Sequence, residues 1–163
     1  MSELRRDRGT YLLIFNAIQD FQCHVGKLGR IHGPAGFYGY VGSARGPGGV
    51  AARVNHHLKI TDKPHWHLDY ARPYLRPLEL WCNYSALTLE HQWAQTLMHL
   101  SGKPLPMPGF GASDCRCESH LVYFEKVPAL NRFKKLLQRY ATSETLPRQH
   151  VVIERIRMNA VDC

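Results

Sequence analysis

The chain has 163 residues, 44% of them apolar and 21% charged. That size and balance fit one domain with a sizeable core and exclude a disordered chain or a small disulfide-stapled scaffold. The 21 Lys and Arg against 13 Asp and Glu give a net charge of +8, which favours polyanions such as nucleic acid or an anionic membrane, although a spread of solvated cations has the same composition.

Residues 10–15, Thr-Tyr-Leu-Leu-Ile-Phe, form a β-prone apolar run and predict a buried strand. Residues 21–25 alternate and stop at Gly26, which predicts a second strand. A glycine-rich connector from Gly26 to Gly36 follows, and then an aromatic strand, Phe37 to Gly42. Gly46-Pro47-Gly48-Gly49 breaks it and opens a helix from about Val50 to Lys59, on which Arg53 and His57 share a face. His65 to Tyr70 is a polar-aromatic block. If it is extended, His65, His67 and Asp69 point to one side.

Leu78 to Cys82 predicts another strand. Leu89, Trp93, Leu97 and Leu100 recur at helical spacing, giving a helix over 85–100 capped by Asn83 or Ser85. A stiff loop at 102–112 leads to Cys115-Arg116-Cys117 and a short strand at 120–124. After Pro128, residues 130–140 predict an amphipathic helix carrying Lys134, Lys135 and Arg139, followed by a strand near 151–156. The five cysteines are an odd number. With no secretory leader expected from the charged first eight residues, they are read as free thiols of a cytoplasmic protein. No run reaches membrane-spanning length, so no membrane partner is expected.

The chemistry-bearing residues come in a fixed order. Gly9-Thr10-Tyr11 opens the first strand and Tyr40-Val41-Gly42-Ser43-Ala44 closes a later one. Arg53 and His57 follow on a helix, and Glu90 starts another. This order resembles the GIY-YIG nuclease superfamily. Residues 9–124 more closely resemble a small branch of it that occurs alone or fused to endonuclease III-type repair glycosylases. The matching blocks are Gly-Ser-Ala-x-Gly-Pro-Gly-Gly at 42–49, His-Trp-His-x-Asp-Tyr at 65–70 and Gly-Phe-Gly-Ala-Ser-Asp-Cys-Arg-Cys-x-Ser-His-Leu at 109–121.

The resemblance implies an endonuclease that hydrolyses DNA phosphodiesters with Mg²⁺ or Mn²⁺, in DNA repair. Tyr11 would serve as general base or proton relay, Tyr40 would position water or phosphate, and Arg53 would pair with phosphate. His57 would assist Tyr11, and Glu90 would hold the metal. A phenol titrates near ~10, so Tyr11 needs a cationic neighbour or a metal to ionise near neutrality. Taken singly, Tyr11 and Tyr40 read equally as core aromatics, Arg53 and His57 as a solvated helix face, and Glu90 as a first-turn carboxylate.

Further candidates for nucleic-acid contact are Arg45, Gly48 and Gly49 at a helix N-terminus, His65 and His67, and the basic pair Lys134 and Lys135. For His65, His67 and Asp69, a metal or phosphate site and a hydrogen-bonded block around Trp66 stand as alternatives. Cys115 and Cys117 are one residue apart, closer than zinc knuckles use, so no zinc site is expected, including one made with His65 and His67. Three departures from the superfamily stand out. The first two motifs are far apart, Thr10 replaces the usual Ile, and no Pro-x-Asn follows the Glu-bearing helix, leaving Ser113 or Asp114 in that region.

The expectation is therefore an α/β (α+β) fold, a mainly antiparallel sheet flanked by helices. A nuclease-like domain would occupy 9–124, with a basic extension, 128–163, packed on it or trailing from it. The alternatives are a catalytically inactive nucleic-acid-binding module and a metal-binding or partner-docking protein.

Overall fold

The computed structural model describes residues 4–100, 105–140 and 152–158. Strand β1 (Gly9–Ala17) is the axis of the molecule. Its apolar run is buried on both faces, as a central strand requires. It pairs antiparallel with β4 (Gly36–Ala44) on one side and β5 (Arg76–Asn83) on the other. Beyond β4 lie β7 (Leu121–Phe124) and the short β6 (Leu105–Pro106). Beyond β5 lies β8 (Glu154–Arg157), so the six-stranded order is β6-β7-β4-β1-β5-β8 with every pair antiparallel.

Strand alternation sends Tyr11, Leu13 and Phe15 to one face and Leu12 and Ile14 to the other. The first face packs against helix α1 (Gly49–Leu58), the short helix α2 (His67–Ala71) and a separate hairpin, β2 (Phe21–Val25) with β3 (Gly29–Gly33). The second face packs against α3 (Glu90–Met98) and α4 (Leu130–Tyr140), with Trp81, Trp93 and Phe133 at its centre. The expected α/β class is therefore what the chain adopts.

Three expectations change in detail. The connector 26–36 contains β3, because its residues complete a hairpin against β2 over Phe21–Val25. The block 65–70 is not extended. Asp69 folds back to accept the backbone N–H groups of His65 and Trp66 at 2.9 and 3.0 Å, which starts α2. The helix expected from Ser85 starts at Glu90, because the Ser85 hydroxyl is spent on the N–H of Leu87 in a turn. The described part of the extension after 128 packs on 9–124. Phe133 and Leu137 complete the second core, and β8 adds an edge to β5, where Arg155 Nε donates to Glu79 at 2.9 Å. The expected strand near 151–156 is observed at 154–157, with residue 151 outside the described residues.

Candidate active site

Tyr11 sits opposite Gly42 in the β1–β4 register, and Tyr40 sits opposite Leu13. Residues opposed in this way share a face, so both phenols point toward α1. Val50 and Val54 anchor α1 on that face. One turn further on, they aim His57 at the phenols. The Tyr11 hydroxyl lies 3.0 Å from His57 Nε2. The glycine at 42 is what admits it, since a Cβ there would stand 2.3 Å from the Tyr11 oxygen.

His57 Nδ1 faces Asp69 at 3.8 Å, too far for a hydrogen bond but close enough for the carboxylate to act through its field. His56 binds the same carboxylate at 3.1 Å. Trp66 lies edge-on to both imidazoles, and the Arg53 guanidinium stacks over the indole at 4.3 Å. Arg53, half-buried, therefore stands on the same side as both phenols.

Burial sets the protonation states. It raises the Tyr11 hydroxyl well above the ordinary phenol range. Tyr40 adds to this and Arg53 opposes it. Tyr40 is likewise raised, by burial and then by Glu90, with Arg53 again opposing. Burial lowers His57 below its usual value despite the nearby Asp69. Asp69 is itself buried, which disfavours its charge. The nearby His57 imidazole, the hydrogen bonds from the His65 and Trp66 amides and that of His56 more than offset this and hold the acid far below the usual range. Tyr11 is thus a neutral phenol facing a neutral imidazole, with a fixed anion behind it.

Glu90 reaches this region from the opposite layer. Strand β7 covers β4 only over Phe37–Tyr40, so the last residues of β4 have no strand beyond them. Ser43 lies opposite Thr10, on the face that α3 covers, and its hydroxyl donates to Glu90 Oε2 at 2.6 Å. Glu90 Oε1 lies 3.2 Å from His120 Nδ1, with an alignment that falls short of a hydrogen bond. Burial would raise the Glu90 carboxyl, but His120 and Ser43 hold it below the usual range. The side chain keeps 21% of its surface exposed.

Tyr11 and Tyr40 thus both meet His57, while Arg53 and Glu90 stand near enough for their charges to act on the titration of both phenols. Other candidates fall elsewhere. Arg45 is exposed and donates to the Thr88 hydroxyl, beside the start of α3. Gly48 and Gly49 do not form an open phosphate cradle. The amides of Val50 and Ala51 bond to the carbonyls of Asp7 and Arg5 at 2.9 and 3.1 Å, and the Gly49 amide bonds to Gly46. Gly49 (φ +54°) permits this crossing, because a Cβ would strike the Arg6 and Asp7 carbonyls.

His65 is exposed. His67 turns away from it and accepts the Gly111 N–H at 2.9 Å on Nδ1. The two therefore do not share a face, which is a consequence of the α2 turn. Lys134 and Lys135 lie on α4, across the sheet from Tyr11 and His57. Residue reading missed Ser43 and His120, and left Asp69 between a metal or phosphate ligand and part of a hydrogen-bonded block around Trp66; its carboxylate is the partner of two imidazoles. The Asp69 signal was a carboxylate three residues into a helix after a proline-bounded turn.

Among the described residues, two groups of side chains have the chemistry to hold a metal. Asp69 with His56 and His57 is one, although it is already committed to hydrogen bonds. The other joins His91, Cys115, Cys117 and His120. The sequence reading weighed these cysteines only together with His65 and His67 and expected no zinc site there.

Residues 10–142 match the family described as domain of unknown function DUF123. The chain belongs to the DUF123 family. No curated protein and no solved structure matches it. In this DUF123 chain the match runs from β1 past α4, so it spans both cores and every residue of the site. Among the described residues no helix is long and apolar enough to cross a membrane.

Proposed function

We propose that the chain is a divalent-metal-dependent endonuclease of the GIY-YIG kind, hydrolysing DNA phosphodiesters in the context of repair. The observation that carries this reading is the Tyr11 hydroxyl 3.0 Å from a His57 that burial keeps neutral. A phenol raised this far does not ionise alone near neutrality. It can relay: as Tyr11 oxygen takes a proton from the attacking water, its own proton passes to His57 Nε2. Asp69 then stabilises the imidazolium, as the carboxylate of a triad does.

The resulting hydroxide attacks phosphorus and the P–O bond to the leaving oxygen breaks, with that oxygen taking a proton from solvent. Arg53 offsets charge on a phosphate oxygen, and Tyr40 orients the phosphate or the water. Arg45, beside the start of α3, extends the basic rim along the nucleic-acid backbone.

Glu90 fits the role of holding Mg²⁺ or Mn²⁺. It is an anionic oxygen ligand, partly exposed, and each oxygen has one neighbour and a lone pair to spare. When bound, such an ion supplies charge neutralisation at the phosphate and leaving oxygen.

The test is nicking of supercoiled and branched DNA in Mg²⁺ and Mn²⁺. Glu90→Ala and Arg53→Ala should each abolish cleavage while leaving the circular dichroism spectrum unchanged. A Glu90→Ala protein that cuts as well as wild type sinks the assignment. A second reading, nucleic-acid binding without cleavage, is favoured by the depth of the relay, since Tyr11 and His57 are each 1% exposed. Salt-sensitive DNA binding with no nicking in either ion would decide for it.

A further inference from the structure

We propose that His91, Cys115, Cys117 and His120 form a tetrahedral site for a thiophilic divalent ion, zinc above all. This is a second site, and its occupancy does not depend on the nuclease reading. One ligand atom from each of the four side chains lies within 4.8 Å of every other. His91 Nδ1 is 3.1 Å from Cys117 Sγ, and Cys115 Sγ is 3.3 Å from His120 Nε2. With Zn–S near 2.3 Å and Zn–N near 2.0 Å, the edges of a tetrahedron are about 3.3–3.8 Å. Both short edges join a nitrogen to a sulfur, where the tetrahedron needs about 3.5 Å, so small side-chain rotations admit the ion.

Ligand type selects the metal. Two thiolates and two imidazoles suit Zn²⁺ and are a poor match for Mg²⁺ or Ca²⁺, which take oxygen. The four ligands come from two separate segments, the first turn of α3 and the loop 107–120. A one-residue gap between cysteines is short for a zinc knuckle, but His120 three residues later and His91 from another element complete the set.

The surroundings also have the form of a metal site. His91 is exposed and both cysteines are half-buried, so the ion has a path from solvent. His120 would ligate through Nε2, which leaves Nδ1 to carry the proton, and Nδ1 faces Glu90 Oε1 at 3.2 Å. A carboxylate behind a ligating histidine fixes its tautomer and orientation. The loop has little regular structure to hold it. It is tied by the His120 amide to Phe110, the Gly109 amide to Glu118 and the Cys115 amide to Ala112. An ion would clamp it to α3 and so set the position of His120 against Glu90, a positioning role.

The experiment uses the full chain purified under reducing conditions. Elemental analysis should find one equivalent of zinc. Replacement by Co²⁺ should give the intense visible bands of a tetrahedral ion together with thiolate charge transfer. Cys117→Ser and His91→Ala should each weaken Co²⁺ affinity at least tenfold in competition with a chromophoric chelator, and Cys23→Ser should not. His91 is exposed, so its replacement keeps the fold even if a cysteine variant does not. Absence of stoichiometric zinc together with an octahedral Co²⁺ spectrum overturns the proposal. So does undiminished affinity in His91→Ala and Cys117→Ser.

Discussion

The Tyr11 hydroxyl meets His57 Nε2 at 3.0 Å across the boundary between β1 and α1. Three features of the chain converge on that contact. Gly42 leaves space for the oxygen, the Val50–Val54 face of α1 sets the height of the imidazole, and Asp69 supplies an anion behind it. Because burial raises the phenol and lowers the imidazole, both partners stay neutral near pH 7 and a proton can pass between them.

Tyr11→Phe should therefore abolish DNA cleavage and leave DNA affinity within about twofold. The variant keeps the ring packed and removes only the hydroxyl, leaving His57 Nε2 without its partner. The stability cost should be about 1–3 kcal/mol, the range for an orphaned buried polar group. Nicking assays beside urea unfolding separate the two effects. Cleavage by Tyr11→Phe at the wild-type rate would remove the phenol from the mechanism.

The pH dependence follows from the directions of the shifts. His57 has a folded-state pKa below its unfolded value of 6.5, so it resists protonation when folded. The unfolded chain binds the extra proton first. The stability from neutral His57 is complete above pH 6.5 and declines as pH falls through that value toward the folded one. Asp69 is also depressed, from 3.8, so its contribution is lost only further down, as pH drops below its unfolded value. Thermal melting against pH should show two acid phases. His57→Gln should shrink the upper one, to which His67 also contributes, and Asp69→Asn the lower one, which Glu79 and Glu90 share. Cleavage, which requires neutral His57, should keep its rate down to below pH 6.5 before falling. A wild-type melting temperature flat from pH 7 to pH 5 would contradict the assignment.

The sheet, its central strand and α1 were legible because their signals are local. Residues 10–15 form an apolar run, and Val50, Val54 and His57 recur at helical spacing. The ordered tyrosines and glycines of β1 and β4 also marked two of the site residues. The rest depended on contacts far apart in sequence. No local pattern announces that Ser43 holds a carboxylate 47 residues away. The histidines that join Cys115 and Cys117 come from α3 and from the end of the loop rather than from the histidine-rich block at 65–67. That block misled because alternation of polar residues looks extended, whereas the Asp69 carboxylate starts a helix there. The glycine-rich 46–49 segment looked like a phosphate cradle because nothing in its own sequence shows that Arg5 and Asp7 already cap it.

Gly42→Ala probes the close approach at Tyr11. The new methyl would stand 2.3 Å from the phenolic oxygen, and the pairing of Gly42 with Tyr11 on β1 opposes relief by backbone movement. The phenol must swing from His57, costing about 1–3 kcal/mol as for other overpacked sites, and cleavage should fall with it. Gly46→Ala, where a Cβ meets nothing within 4 Å, is the matched control and should be near neutral. Equal stability of the two variants in urea would show that the strand accommodates the methyl.

The position of α4 makes a last, discriminating prediction about DNA contact. Phe133 and Leu137 bury one side of this helix against Trp81 and Trp93, on the layer away from Tyr11 and His57. Lys134 and Lys135 thus stand across the sheet from Arg53, and a duplex seated at the phenols does not reach them. Each phosphate contact contributes roughly one counterion to the salt dependence of binding. Arg45→Ala and Arg53→Ala should each lower the slope of log affinity against log salt by about one. The double change Lys134→Ala, Lys135→Ala should leave the slope as it was. Fluorescence anisotropy with a labelled duplex over a salt series measures this directly. A slope that drops by about two in the lysine double variant would place the nucleic acid on the α4 layer and detach binding from the Tyr11 site.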